Sequence, residues 1–123
     1  MSSIDASKLA NATHLYLTTI GRNTGNLHTV ELWFSIAKGK ISLSHEGKYT
    51  DWMKNILKDN RVEFTIGNTQ FKGRTQIFTD GESFEIGKHA LYQKYYGKAS
   101  EDVIDDWFSE STVIEISMIE SEL

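Results

Sequence analysis

Tyr16 to Phe34 reads YLTTIGRNTGNLHTVELWF, and this stretch constrains the chain most. Two runs of β-branched and aromatic residues flank a glycine-bearing turn, the pattern of a β-hairpin. Its polar residues are not those an ordinary hairpin needs. Arg22, Thr24, His28, Thr29 and Glu31 sit in or beside apolar runs. Such a hairpin reads as the wall of a cofactor site, with the rest of the chain backing it.

Strand patterns recur downstream. His14–Ile20 is expected as strand one, Gly21–Asn26 as a turn and His28–Ala37 as strand two. Alternation puts His28, Val30, Leu32 and Phe34 on one face and Thr29, Glu31, Trp33 and Ser35 on the other. Lys38-Gly39 makes a two-residue turn into Lys40–His45. Thr50 is expected to cap a helix over Asp51–Asp59, with Asp51 at the positive end of its dipole. Trp52, Met53, Ile56 and Leu57 form its apolar face; Lys54, Asn55 and Lys58 form its wet one. Asn60 would end it in the left-handed conformation. Arg61–Ile66, a Gly67-Asn68 turn and Thr69–Phe78 form another hairpin, with Val62, Phe64 and Ile66 inward.

Thr79-Asp80-Gly81-Glu82 has capping-box spacing before a helix to about Tyr96. Phe84, Ala90, Leu91 and Tyr95 are its expected buried side, and Gly97 its stop. Ser100 caps a short helix through Phe108, and Thr112–Ile119 is the last strand. Residues 1–12 are small and polar, with a short helix around 5–10. Six strands joined mostly by short turns predict a mainly β, mostly antiparallel fold with peripheral helices, a small β-barrel or a strongly curved sheet.

The 123 residues suit a single domain over 1–123. A core that small gains from dimerisation. A net charge of −4 without a basic stripe argues against nucleic acid as partner. The chain has no Cys, which removes disulfides, thiolate metal sites and cysteine nucleophiles. Four scattered His argue against a zinc site. MSSIDASKLA is no signal peptide, no apolar run has membrane-spanning length, and a cytoplasmic location is expected. No catalytic triad, P-loop or GxGxxG is present, so a hydrolase or kinase finds no support.

An anion site is the chemistry these residues can build. Lys48 precedes a helix N-terminus, where free N–H groups favour negative charge. Arg22 lies in the first turn and His28 opens strand two, so a turn folded over the helix start could surround a phosphate. Solvated loop charges are the commoner fate of such residues, and Glu46 and Asp51 would compete for the cations. Glu31 either faces solvent on an edge or is buried with a partner. Most aromatic residues should be core or dimer interface. Tyr49, beside Lys48, could stack on a flat ligand. Asn55 by itself reads as a surface amide.

LTTIGRNTGNLHTVELWF, then a strand, then GKYTDWMKNILKDNRVEFTIG resembles the deazaflavin-dependent nitroreductase family. That family lies within the flavin and deazaflavin oxidoreductases built on the split β-barrel, the pyridoxamine-phosphate-oxidase-like or FMN-binding type. The specific parts are the TT-x-GR-x-[ST]-G run and the DW-x-x-N-hydrophobic helix, over roughly Tyr16 to Gly73; Asp105-Asp106-Trp107 is compatible. The resemblance implies a six-stranded split barrel and a homodimer, with the tricyclic cofactor in a groove near the interface. It implies that Arg22, Thr24 and His28 line the phosphate side. Lys48 matches the basic residue after strand three and Asn55 the helix asparagine. Two departures stand out. Ser44-His45-Glu46-Gly47-Lys48 replaces a Ser-Lys-Gly-Gly type segment, and His28 stands where some relatives carry Arg. The implied cofactor is coenzyme F420 first and FMN second, and the implied reaction is hydride transfer to a quinone, nitro compound or enone. Tyr49, His45 or water would give the proton. A carrier or sensor that binds the cofactor without turnover is the alternative.

Overall fold

The computed structural model describes Leu9 and residues 11–118. The helix expected around 5–10 lies, Leu9 apart, outside them. Seven strands and three helices follow in order: β1 (Leu15–Ile20), β2 (Leu27–Leu32), β3 (Ser35–Ala37), β4 (Lys40–Glu46), α1 (Asp51–Lys58), β5 (Arg61–Ile66), β6 (Thr69–Phe78), α2 (Gly81–Tyr96), α3 (Glu101–Trp107) and β7 (Ser111–Met118). All strands join one antiparallel sheet, in the order β2-β1-β5-β6-β7-β4-β3.

That order forces curvature. β2 and β3 are the two edges of the sheet, yet only Trp33 and Phe34 separate them. Three Cα steps from Leu32 to Ser35 span at most roughly 11 Å. The sheet therefore curls until its edges nearly meet, and the result is a half-barrel. The expected six strands become seven because strand two breaks at Trp33-Phe34.

The break is stabilised from α2. The Tyr95 hydroxyl accepts from the Phe34 N–H at 3.0 Å. It donates to the carbonyl of Thr13, at 2.7 Å, or of Phe34, at 2.8 Å. Burial raises its pKa, and the Phe34 backbone bond works the other way. Trp33 stacks on the Tyr95 ring, 4.3 Å between centroids and 12° between planes. Lys94 Nζ lies 3.6 Å from the centre of the Phe34 ring and donates to the Ala12 carbonyl at 2.7 Å. These tertiary contacts replace the ladder bonds a continuous strand would have made.

The core fills the inside of the curl. Leu17, Phe34, Leu43, Phe64, Ile114 and Ile116 are almost fully buried there. Val62, Phe64 and Ile66 face inward as expected. Lys38 and Gly39 both take positive φ, at 53° and 77°, as a mirror-image hairpin turn needs. α1 inserts Trp52, Met53 and Ile56, but its face is rotated from the one expected. Asn55 is 2% exposed and Leu57 is 62% exposed. α1 ends at an extended Asp59, not in a left-handed Asn60. The Asn60 carbonyl instead accepts from the Thr75 N–H at 2.9 Å, tying the start of β5 to β6.

α2 lies close on β4 and β7. A Cβ at Gly87 would sit 2.6 Å from Val113 Cγ1 and 3.2 Å from Ser42 Oγ. Glycine costs α2 about 1 kcal/mol of helix propensity, and the close approach it permits is the compensation. The buried side of α2 is Phe84, Gly87, Lys88 and Leu91; Ala90 and Tyr95 are half-buried. The capping box does not form: Asp80 is the N-cap and makes no side-chain cap bond. Ser100 does cap α3, accepting from Val103 N at 3.4 Å. Leu91, Ile104 and Phe108 make a second, smaller core between α2 and α3.

Candidate functional site

β1 leads straight into the turn at residues 21–26. Gly21 N donates to the Asn26 carbonyl at 2.7 Å, and Gly25 N donates to the Gly21 carbonyl at 2.8 Å. Thr24 Oγ1 accepts from Asn26 N at 3.2 Å. The His28 ring lies on Gly21, where a Cβ would come within 2.9 Å of His28 Nε2. Only glycine lets the imidazole fold back onto the turn.

α1 holds the other side. Asn55 is neutral and buried, and both ends of its amide are hydrogen-bonded. Its Nδ2 donates to Thr19 Oγ1 at 3.0 Å. Its Oδ1 accepts from the Arg22 N–H at 3.2 Å and from Arg22 Nη1 at 2.9 Å. One amide therefore fixes both the backbone and the guanidinium of Arg22. Lys58 Nζ donates to the Arg22 carbonyl at 3.0 Å. Arg22 Nη2 meets Asp51 Oδ1 at 3.2 Å, and that carboxylate is 88% exposed. An ion pair so open to water is worth about 0–1 kcal/mol.

Between these walls lies a cleft of about 480 Å³. Arg22, Thr24, His28, Thr29 and Asn55 all line it, and Val30 and Trp52 give it an apolar side. The structure thus brings together five of the seven residues singled out in the sequence. It does not bring the other two to the cleft. Lys48 is exposed on the loop after β4, and its carbonyl accepts from His45 Nε2 at 2.6 Å. Tyr49 is half-buried against the main core. β4 still reaches the cleft indirectly: the His45 ring meets Trp52 edge-on, 6.1 Å between centroids.

Two other expectations resolve here. Asn55 is not a surface amide. Thr19, fully buried, and Lys58 are contributors the sequence reading missed. The signal for Asn55 was its spacing, three residues after Trp52 and one before Ile56, on the buried stripe. Glu31 faces solvent on the edge strand β2, opposite Tyr16. Its hydrogen bond and its charge raise the Tyr16 phenol pKa. Thr29 Oγ1 lies 2.8 Å from Thr18 Oγ1 across the same strand pair.

Residues 4–101 match the family model of the F420H(2)-dependent quinone reductases. The chain belongs to that family. No curated protein sequence matches it. Among solved structures, a conserved hypothetical protein of Mycobacterium tuberculosis aligns with a TM-score of 0.77 at 20% identity, over 97% of this chain and 83% of that one. A structure described as an F420 reductase aligns at 0.67 and 18% identity, over 94% and 93%. A putative pyridoxamine 5′-phosphate oxidase of Listeria innocua aligns at 0.66 and 14% identity, over 93% and 90%. At such identities these likenesses show the fold, the split-barrel type that the family resemblance implied.

The residues of the cleft fit one end of the cofactor the family name carries. A guanidinium aimed from a buried amide, flanked by hydroxyls and an imidazole, suits an anionic group. The volume lies within the roughly 300–1,000 Å³ of small-molecule sites.

Proposed function

We propose that the protein is an oxidoreductase that uses reduced coenzyme F420 to reduce a small acceptor such as a quinone, nitro compound or enone. The observation that carries this reading is Arg22, held over the cleft by Asn55 in a chain of this family. The bound cofactor supplies the hydride, so no side-chain nucleophile is required. The protein's part is anchoring, orientation and exclusion of water.

In this reading Arg22 receives the anionic end of the cofactor, and the Asp51 pair opens at little cost because it is already solvated. Thr24, His28 and Thr29 complete the donor set. Val30 and Trp52 shield the inner side of the cleft. Lys48 acts from the exposed loop after β4 as a solvated charge, and Tyr49, His45 or water gives the proton. The proposal includes a homodimer, supported by Leu27 on the edge strand β2 and Tyr16 on its neighbour β1, large side chains 63% and 49% exposed. It also includes a cytoplasmic setting. Among the described residues, no helix is long and apolar enough to cross a membrane.

Titration of the purified protein with F420, read by fluorescence, tests the cofactor. Saturable binding by a colourless preparation supports the proposal. A yellow preparation with flavin absorption that ignores F420 would replace it with an FMN-dependent reductase. Stable bound F420H2 in the presence of every acceptor class would leave a binding protein.

A further inference from the structure

The geometry points to a divalent-metal site of the zinc class between α2 and α3, made by Glu85, His89 and Glu101. It lies outside the cleft and outside the redox reading. Glu85 and His89 are four residues apart, so they share one face of α2. Glu101 is the first residue of α3 and comes to the same point from a different helix. His89 Nε2 is 3.2 Å from Glu101 Oε2 and 3.9 Å from Glu85 Oε1. One ligand atom from each of the three lies within 4.8 Å of the others.

Those separations approach what a metal demands. Zinc with bonds of roughly 2.0–2.1 Å in tetrahedral geometry separates its ligand atoms by about 3.3 Å. Small rotations of the two carboxylates, 51% and 67% exposed, close the remaining gaps. One imidazole and two carboxylates match the preference of zinc and its divalent neighbours for mixed nitrogen and oxygen ligands. Three protein ligands leave a position for water.

A second observation favours ligand chemistry over a chance ion pair. Glu85 is oriented from behind. Its other oxygen, Oε2, meets Lys88 Nζ at 2.9 Å, and Lys88 is buried and also held by Asp105 at 2.5 Å. The fixed ammonium turns Oε1 towards His89. Outer contacts of this kind orient metal ligands. Ser100 caps the helix that Glu101 begins, which holds the Glu101 backbone in place. A metal here would pin α3 to α2 beside Trp107, which packs on Tyr96 at 4.9 Å.

The test uses the full chain, stripped with a chelator and given Zn²⁺ alone. Calorimetry should find one ion per chain, and Zn²⁺ should raise the Tm, since it binds only the folded arrangement. Co²⁺ should give a protein-bound visible absorption band. His89→Gln and Glu101→Gln should each weaken Zn²⁺ by at least about tenfold, the lower range seen for loss of an outer contact. Both positions are solvent-accessible, so each variant should keep its metal-free Tm and serve as its own reference. No heat and no Tm shift in the wild type would overturn the site and leave only ion pairs. An unchanged zinc response in His89→Gln would also overturn it, by moving the ion to another histidine.

Discussion

The corner formed by the first turn and α1 and the layer formed by α2 and α3 both combine charge with aromatic surface, but in opposite senses. At the corner the buried polar group is a neutral amide, Asn55, and the charge it directs is partly exposed in Arg22. In the helical layer the buried group is itself the cation, Lys88, and its carboxylate partners are exposed. The aromatic residues differ likewise. Trp52 presents an apolar wall to a cleft of about 480 Å³. Tyr92, Tyr96 and Trp107 pack on one another, with Trp33 stacked on Tyr95 beside them, around a space of about 200 Å³. A buried amide spends nothing on desolvating charge, so it can hold a cation ready for a ligand. A buried cation is satisfied by its own helices and has little left to offer.

The largest effect should come from Asn55→Ala. It strips partners from Thr19, from the Arg22 N–H and from the guanidinium at once. Loss of about 2–4 kcal/mol in urea denaturation is expected, together with loss of F420 binding. If stability falls and binding does not, the amide is only structural and the comparison fails. Lys88→Met should be far milder, within about 1 kcal/mol, because Asp105 and Glu85 can return to water. F420 binding should be unchanged. A severe loss in that variant would show that the helical layer depends on its charge as the corner depends on its amide.

The smallest effect concerns Lys94. Burial lowers its pKa to about 8, although the Phe34 ring beneath it favours the charged form. The folded protein then binds fewer protons than the unfolded chain between about pH 8 and the ordinary lysine range near 10.5. Stability carried by this group therefore rises with pH across that window. The denaturation midpoint of wild type should rise relative to that of Lys94→Met as the pH goes from about 8 to about 10. Parallel curves would mean the ring and the Ala12 carbonyl keep the ammonium charged.

Much of the sheet was legible because its signals are local. Arg61–Ile66 and Thr69–Phe78 match β5 and β6 residue for residue, and Lys38-Gly39 predicts its own turn. What failed depended on distant partners. The break at Trp33-Phe34 follows from Tyr95, more than sixty residues later, and from sheet edges that must meet. The capping box at Thr79 competes with a helix start at Asp80. Asn55 was misread because its polarity outweighed its place on the buried stripe. The same residue was nonetheless within reach of the family resemblance, which matched it to a helix asparagine near the cofactor. Lys48 shows the reverse case. It has the right charge at a helix entrance, but its side chain does not line the cleft.

Arg22 and Lys48 make the decisive pair. The measurement is the F420 dissociation constant of wild type, Arg22→Ala and Lys48→Ala, under one salt condition. Loss of the Arg22 charge-assisted contact, about 1.5–3 kcal/mol, should weaken binding by roughly 10–100-fold. Lys48→Ala, acting through an exposed loop, should cost less than about threefold. Equal binding by Arg22→Ala and wild type, or a larger loss in Lys48→Ala than in Arg22→Ala, would contradict the account.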